Sequence, residues 1–254
     1  MNEPINNPLP DAQPPQAAMA QGFVFPKASE ILNHSWGLFK SRYKTLVYIS
    51  LAPISAVFLG GLVAGVLAAM QKDHNLAFTL FICGLILLFI FLSLWGFCAL
   101  IHNVMDEQQD IGFRESYTRS SHDIWPLILA GLLTGLAVFG GMLLLIVPGI
   151  IFGFWFSQTY YVVISEKLGA VEAMKKSKAY VQGNIKHIFL KGLYIGFIGA
   201  IIGIIISIIF GTLDKILKIT LLYPITNLAF QILWYPLATV YAYKVFTYLK
   251  ASKS

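Results

Sequence analysis

Apolar residues in this chain come in long uninterrupted runs, not in short alternations. Residues 45–70 contain no charged side chain, and after the polar turn Lys72, Asp73 and His74 a second uncharged run covers 76–102. Each exceeds the roughly 20 residues a helix needs to cross bilayer hydrocarbon. Residues 124–165 again carry no charge. As one helix they would reach about 60 Å, twice the hydrocarbon thickness. Pro148 and Gly149 offer the interruption, since proline lacks an amide hydrogen and glycine permits a reversal. That divides the stretch into spans at 125–147 and 150–165. Two more follow at 189–210 and 219–243, separated by Asp214, Lys215 and Lys218. The expected fold is an all-α membrane protein with six transmembrane helices in three hairpins.

Charge placement tests the count. With the N-terminus inside, six spans leave only Lys72, Lys215 and Lys218 outside, and all other Lys and Arg residues fall on the cytoplasmic side. A single crossing at 124–165 would strand the basic cluster Lys167, Lys175, Lys176, Lys178, Lys186 and Lys191 outside. The positive-inside rule favours six spans with both termini cytoplasmic.

A polar segment with helical apolar spacing precedes each pair of spans. Leu32, Trp36, Phe39 and Tyr43 share a face in the first, and Phe113, Tyr117 and Ile124 recur in the second. Leu168, Val171, Met174, Val181 and Ile185 do so in the third. Each reads as an amphipathic helix lying at the membrane interface. The three also share a spacing: Glu30 and Ser35, Glu115 and Ser120, and Glu172 and Ser177 are each five residues apart. Three copies of one unit, an interfacial helix and then a hairpin, are expected over about 28–104, 111–165 and 166–249. They form a membrane domain at 27–249, flanked by cytoplasmic tails at 1–26 and 250–254. The first tail is polar and holds Pro4, Pro8, Pro10, Pro14 and Pro15 without an apolar core, so it reads as disordered and not as a signal peptide.

Composition agrees. Hydrophobic residues make up 57% of the chain and charged residues 12%, about half the usual charged share of a soluble domain. The net charge of +6 sits beside apolar runs, where it suits anionic lipid on the cytoplasmic face, and no nucleic-acid reader motif accompanies it. Cys83 and Cys98, on one helix, would lie about 22 Å apart by helical rise and cannot pair there.

Candidate chemistry is sparse. His34, His74, His102, His122 and His187 have no partner at metal-ligand spacing, so no metal, cofactor or catalytic residue is expected. Ionisable residues fall only at span ends, and no cluster of charges at one membrane depth is visible in the sequence. The polar pair Asn227 and Gln231 shares a face of the last helix, suited either to interhelical hydrogen bonding or to lining a solute path.

Residues 147–184 read VPGIIFGFWFSQTYYVVISEKLGAVEAMKKSKAYVQGN. The segment resembles the membrane domain of glycerophosphoryl diester phosphodiesterases and related bacterial integral membrane proteins. The likeness rests on Pro148, Gly149, Glu166, Gly169, Glu172, Ala173, Ser177 and Gly183. It implies a helical membrane module, without the catalytic barrel those enzymes carry beside it. The expectation is therefore a non-enzymatic module of the bacterial cytoplasmic membrane, a scaffold or envelope organiser. The alternative is a transporter or channel subunit for an apolar or lipid-like solute.

Overall fold

The computed structural model describes residues 24–70, 76–106, 109–218 and 221–253. Most of the tail expected at 1–26, and the polar turn around Lys72, lie outside the described residues. Ten α-helices follow one another, and no strand occurs among the described residues. Short helices α1 (Ala28–Ser41), α4 (Gly112–Ser120) and α8 (Ala170–Val181) each precede longer ones. After α1 come α2 (Tyr43–Met70) and α3 (Leu76–Met105); after α4 come α5 (Ile124–Leu144), α6 (Ile146–Trp155) and α7 (Thr159–Glu166). After α8 come α9 (Ile185–Leu217) and α10 (Leu222–Ala251).

Among the described residues, four helical stretches are long and apolar enough to cross a membrane: Thr79–Met105, Ile124–Leu144, Ile146–Glu166 and Ile185–Leu217. Of the other two stretches expected, several side chains of α2 lie outside the described residues, and α10 is not in that set. Both are long enough, at 28 and 30 residues, but α10 is diluted by Asn227, Gln231 and its prolines.

The turn in the third apolar stretch differs from expectation. It falls at Leu145, whose backbone is extended (φ −163°, ψ 148°), and not at Pro148-Gly149. Pro148 instead occupies the first turn of α6, where an amide hydrogen would have no helical partner anyway. Gly149 is the residue that lets the two helices touch. A Cβ there would lie 2.8 Å from the Met142 amide nitrogen, and one on Gly141 would lie 3.0 Å from Gly149. A second interruption lies within the expected span at 150–165: Phe156, Ser157 and Gln158 separate α6 from α7.

Part of the apolar face expected on each short helix is exposed, which is compatible with a helix lying at a membrane interface. In α1 the buried side chains are Ile31, Ser35 and Phe39, while Trp36 is 44% exposed. In α4 they are Ser116 and Ser120, with Phe113 exposed; in α8 they include Ala173, Ser177 and Tyr180, with Val171 exposed. Buried serines recur on all three helices, beside the larger Ile31, Phe39 and Tyr180 on two of them, and part of each apolar stripe faces out.

Burial concentrates at the end of the long helices that meets these short ones. Leu46 and Ile49 of α2, residues 98–101 of α3, Tyr161 of α7 and Phe246 of α10 form one apolar cluster there. By contrast, none of the most apolar stretch of α9 is buried. The far ends present apolar surface outward, as lipid-facing helices do.

One backbone defect is repaired inside this core. Pro53 within α2 cannot donate to the Ile49 carbonyl four residues earlier. The Tyr117 hydroxyl of α4 donates to that oxygen instead, at 3.1 Å. Tyr117→Phe is expected to cost about 1 kcal/mol in the native chain and nearly nothing in a Pro53→Ala background, where residue 53 supplies the amide. A double-mutant cycle on unfolding in detergent reads this directly, and equal costs in both backgrounds would refute it.

Candidate functional site

Polar side chains meet in three knots at the buried end. In the first, Arg42, between α1 and α2, donates to the Asn103 carbonyl at 2.9 Å and to the Asp106 carbonyl. A cation thus closes the C-terminal end of α3, where carbonyls lack helical partners. The Asn103 amide donates to Asp110 at 3.0 Å, and the Thr45 hydroxyl reaches the other carboxylate oxygen at 2.7 Å.

Burial alone would raise the Asp110 pKa. The Asn103, Thr45 and Gly112 hydrogen bonds and the Arg42 charge outweigh it and hold the carboxyl below its usual range. A carboxylate with a depressed folded-state pKa stabilises the fold above its unfolded value of about 3.9 and loses that contribution as pH falls through the folded value. The melting temperature of the native protein should therefore fall more steeply as pH drops below about 4 than that of Asp110→Asn. Parallel profiles would count against this role.

The second knot joins α3, α5 and the α7–α8 corner. The buried His102 ring contacts Asp123 through Nε2 at 2.8 Å, and the Lys167 ammonium reaches the same carboxylate oxygen. Lys167 ends α7 in the left-handed region (φ 53°), which turns its chain back toward Asp123. In the third knot Glu166 accepts from the Tyr180 hydroxyl at 2.7 Å and pairs with Lys250 at 3.2 Å and with Lys176. Burial, and then the Glu166 contact, push the Tyr180 hydroxyl well above its ordinary pKa.

Charged residues distant in sequence therefore pair at the buried end of the helices. The signal was hard to find, because the partners lie 21 and 44 residues apart in the second knot and share no local motif. Each carboxylate named is held by a cation or a hydrogen-bond donor, while the Asn103 Oδ1 in the first knot is buried without a hydrogen-bond partner. No group of three or more His, Cys, Asp or Glu able to hold a metal occurs among the described residues.

The Glu–Ser pairs serve geometry. Glu30, Glu115 and Glu172 sit in the first turns of α1, α4 and α8, where a negative charge suits the helix dipole. Glu30 accepts from the Lys27 amide at 3.1 Å, and Glu115 pairs with Arg119 at 2.8 Å. All three serines are fully buried. Ser35 and Ser120 donate within their own helices, to Ile31 and Tyr117. Ser177 instead reaches across to the α6–α7 break, donating to the Trp155 carbonyl at 2.7 Å and accepting from the Gln158 amide at 3.2 Å.

Asn227 and Gln231 are joined, Gln231 Nε2 donating to Asn227 Oδ1 at 2.6 Å. They line a cavity of about 490 Å³ between α2, α3 and α10, together with Pro53, Ile54, Ser93 and Tyr235. Pro148 and Gly149 lie apart from it, at the α5–α6 turn.

These helices and knots define an all-α chain with four stretches fit to cross a membrane. No family model, curated protein or solved structure matches it.

Proposed function

We propose that this chain is a non-enzymatic module of the bacterial cytoplasmic membrane, crossing six times and presenting α1, α4 and α8 as a rigid platform on the cytoplasmic face. The observation that carries the platform reading is the set of three polar knots, which tie the short helices to the long ones. Trp36, Phe113 and Val171, exposed on the short helices, are suited to rest in the lipid headgroup region. The resemblance of 147–184 to the phosphodiesterase membrane domain belongs to the same proposal, and it implies a platform and not an activity.

Single cysteines at Lys72, Val147, Lys176 and Lys215, in a chain lacking Cys83 and Cys98, test the topology. Val147 is chosen because it is 65% exposed beside the α5–α6 turn. An impermeant thiol reagent applied to intact cells should label 72, 147 and 215 and never 176. Labelling at 176 would remove the platform from the cytoplasm and end the proposal. Hydrolysis of glycerophosphodiesters by purified protein, lost on His102→Ala, would end it equally.

A second reading, a transporter or channel subunit for an apolar or lipid-like solute, is favoured by the cavity beside Asn227 and Gln231. Loss of uptake when both become leucine, with the fold intact, would select it over the platform.

A further inference from the structure

The cavity between α2, α3 and α10 has a composition that specifies a ligand. Its walls are apolar at Pro53, Ile54 and Leu228 and polar at Ser93, Asn227, Gln231 and Tyr235, and among the described residues no charged one lines it. At about 490 Å³ it falls within the range of small-molecule sites, roughly 300–1,000 Å³. Two prolines mark its ends. Pro53 leans on Gly96 of α3, where a Cβ would lie 2.6 Å from the proline ring, so α2 and α3 meet closely on one side of the cavity. Pro224 sits in the first turn of α10 at its other end.

The polar atoms are partly spent. The Asn227 amide donates to the Tyr223 hydroxyl at 3.5 Å, its oxygen takes the Gln231 amide, and Ser93 donates to the Phe89 carbonyl. What remains is mixed: the Gln231 carbonyl oxygen as acceptor, the Ser93 oxygen lone pairs as acceptors, and the Tyr235 hydroxyl as donor. A hydroxyl both donates and accepts and suits such a set. A carboxylate or phosphate entering here would lose its hydration without meeting a cation, at a cost no single hydrogen bond offsets.

We propose that this cavity binds a neutral amphiphile, an apolar chain bearing a hydroxyl group that bonds to Gln231 and Tyr235. This goes beyond both readings above, because it concerns binding and holds whether or not the ligand is carried across. The test uses the full chain in phosphatidylcholine nanodiscs and three photoreactive probes of equal length: a long-chain alcohol, the corresponding carboxylate and the corresponding alkane. The alcohol should label the segments around Ile54 and Leu228 at least tenfold more than the carboxylate does. Ile54→Trp, which fills the cavity, should reduce that labelling at least fivefold, and Leu228→Trp serves if the first variant does not fold. Asn227→Leu with Gln231→Leu should bring the alcohol down to the level of the alkane.

The same chemistry could come from the bilayer or from outside it. A neutral lipid extracted from purified native protein but not from Ile54→Trp supports the site and identifies the bilayer as source. A site free of lipid on purification, yet labelled selectively by the alcohol, supports it with an external supply. Labelling by the carboxylate as strong as by the alcohol would overturn the proposal. Labelling spread evenly over outward positions such as Leu87 and Ile204, unchanged by filling the cavity, would overturn it too.

Discussion

Replacing Ser177 by leucine is expected to destabilise the protein by about 4 kcal/mol, and replacing it by alanine by about 2 kcal/mol. The serine hydroxyl bridges the α6–α7 break, holding the Trp155 carbonyl and the Gln158 amide at a point where the helical ladder has stopped. Ser177 is 0% exposed and Gln158 only 7%, so water has little access to replace either bond. Alanine leaves two backbone groups with a lost partner, and each buried group so stranded costs about 1–3 kcal/mol. Leucine adds overpacking against α6 and α7, about 1–3 kcal/mol more. Ser35→Ala and Ser120→Ala are the controls. Their hydroxyls bond carbonyls one turn earlier, within their own helices or turns, so each should cost less than about 1 kcal/mol. Denaturation of the purified protein in mixed detergent micelles measures all four. Equal losses at the three serines would mean that Ser177 is merely a small residue in a tight place and that the bridge does not matter.

That contrast also locates what sequence could and could not reveal. The positions of α3, α5 and α9 followed from uncharged runs, because hydrocarbon tolerates no ionised side chain at moderate cost. The short helices were visible from spacing, and their first-turn glutamates from the Glu–Ser repeat. Their inward faces were not. In a soluble protein the large apolar stripe marks the core, but where lipid is available outside, apolar size stops discriminating, and Ser35 and Ser177 are buried beside Phe39 and Tyr180 while Trp36 and Val171 are exposed. The α6–α7 break had no proline or glycine at Phe156–Gln158 to announce it, and its stabilising partner stands 19 residues downstream in another helix. The knots were hidden for the same reason: His102, Asp123 and Lys167 each look like an ordinary charge at a helix end until the fold brings the ends together. Asn227 and Gln231 were visible as a pair, and the structure adds the cavity they face.

The α5–α6 turn gives the second large effect. Gly149→Ala should cost about 2–3 kcal/mol and Gly149→Val about 4 kcal/mol, although both substitutions raise helix propensity. The alanine Cβ would sit 2.8 Å from the Met142 amide nitrogen and 3.0 Å from its Cα. These are backbone atoms, so no side-chain rotation relieves the clash, and α5 and α6 must separate just beside the extended Leu145 link. Gly135 on α5 provides the opposite case, since a Cβ there meets nothing within 4 Å. Gly135→Ala should be neutral or stabilise by up to about 1 kcal/mol through the loss of unfolded-state freedom. The pair separates close packing from a simple preference for glycine in membrane helices. If both alanines are tolerated, the helices do not touch at Gly149 and the link at Leu145 does not fold them together. If Gly149→Ala alone is disruptive, close backbone contact between Gly149 and Met142 is what holds α5 against α6 at this turn.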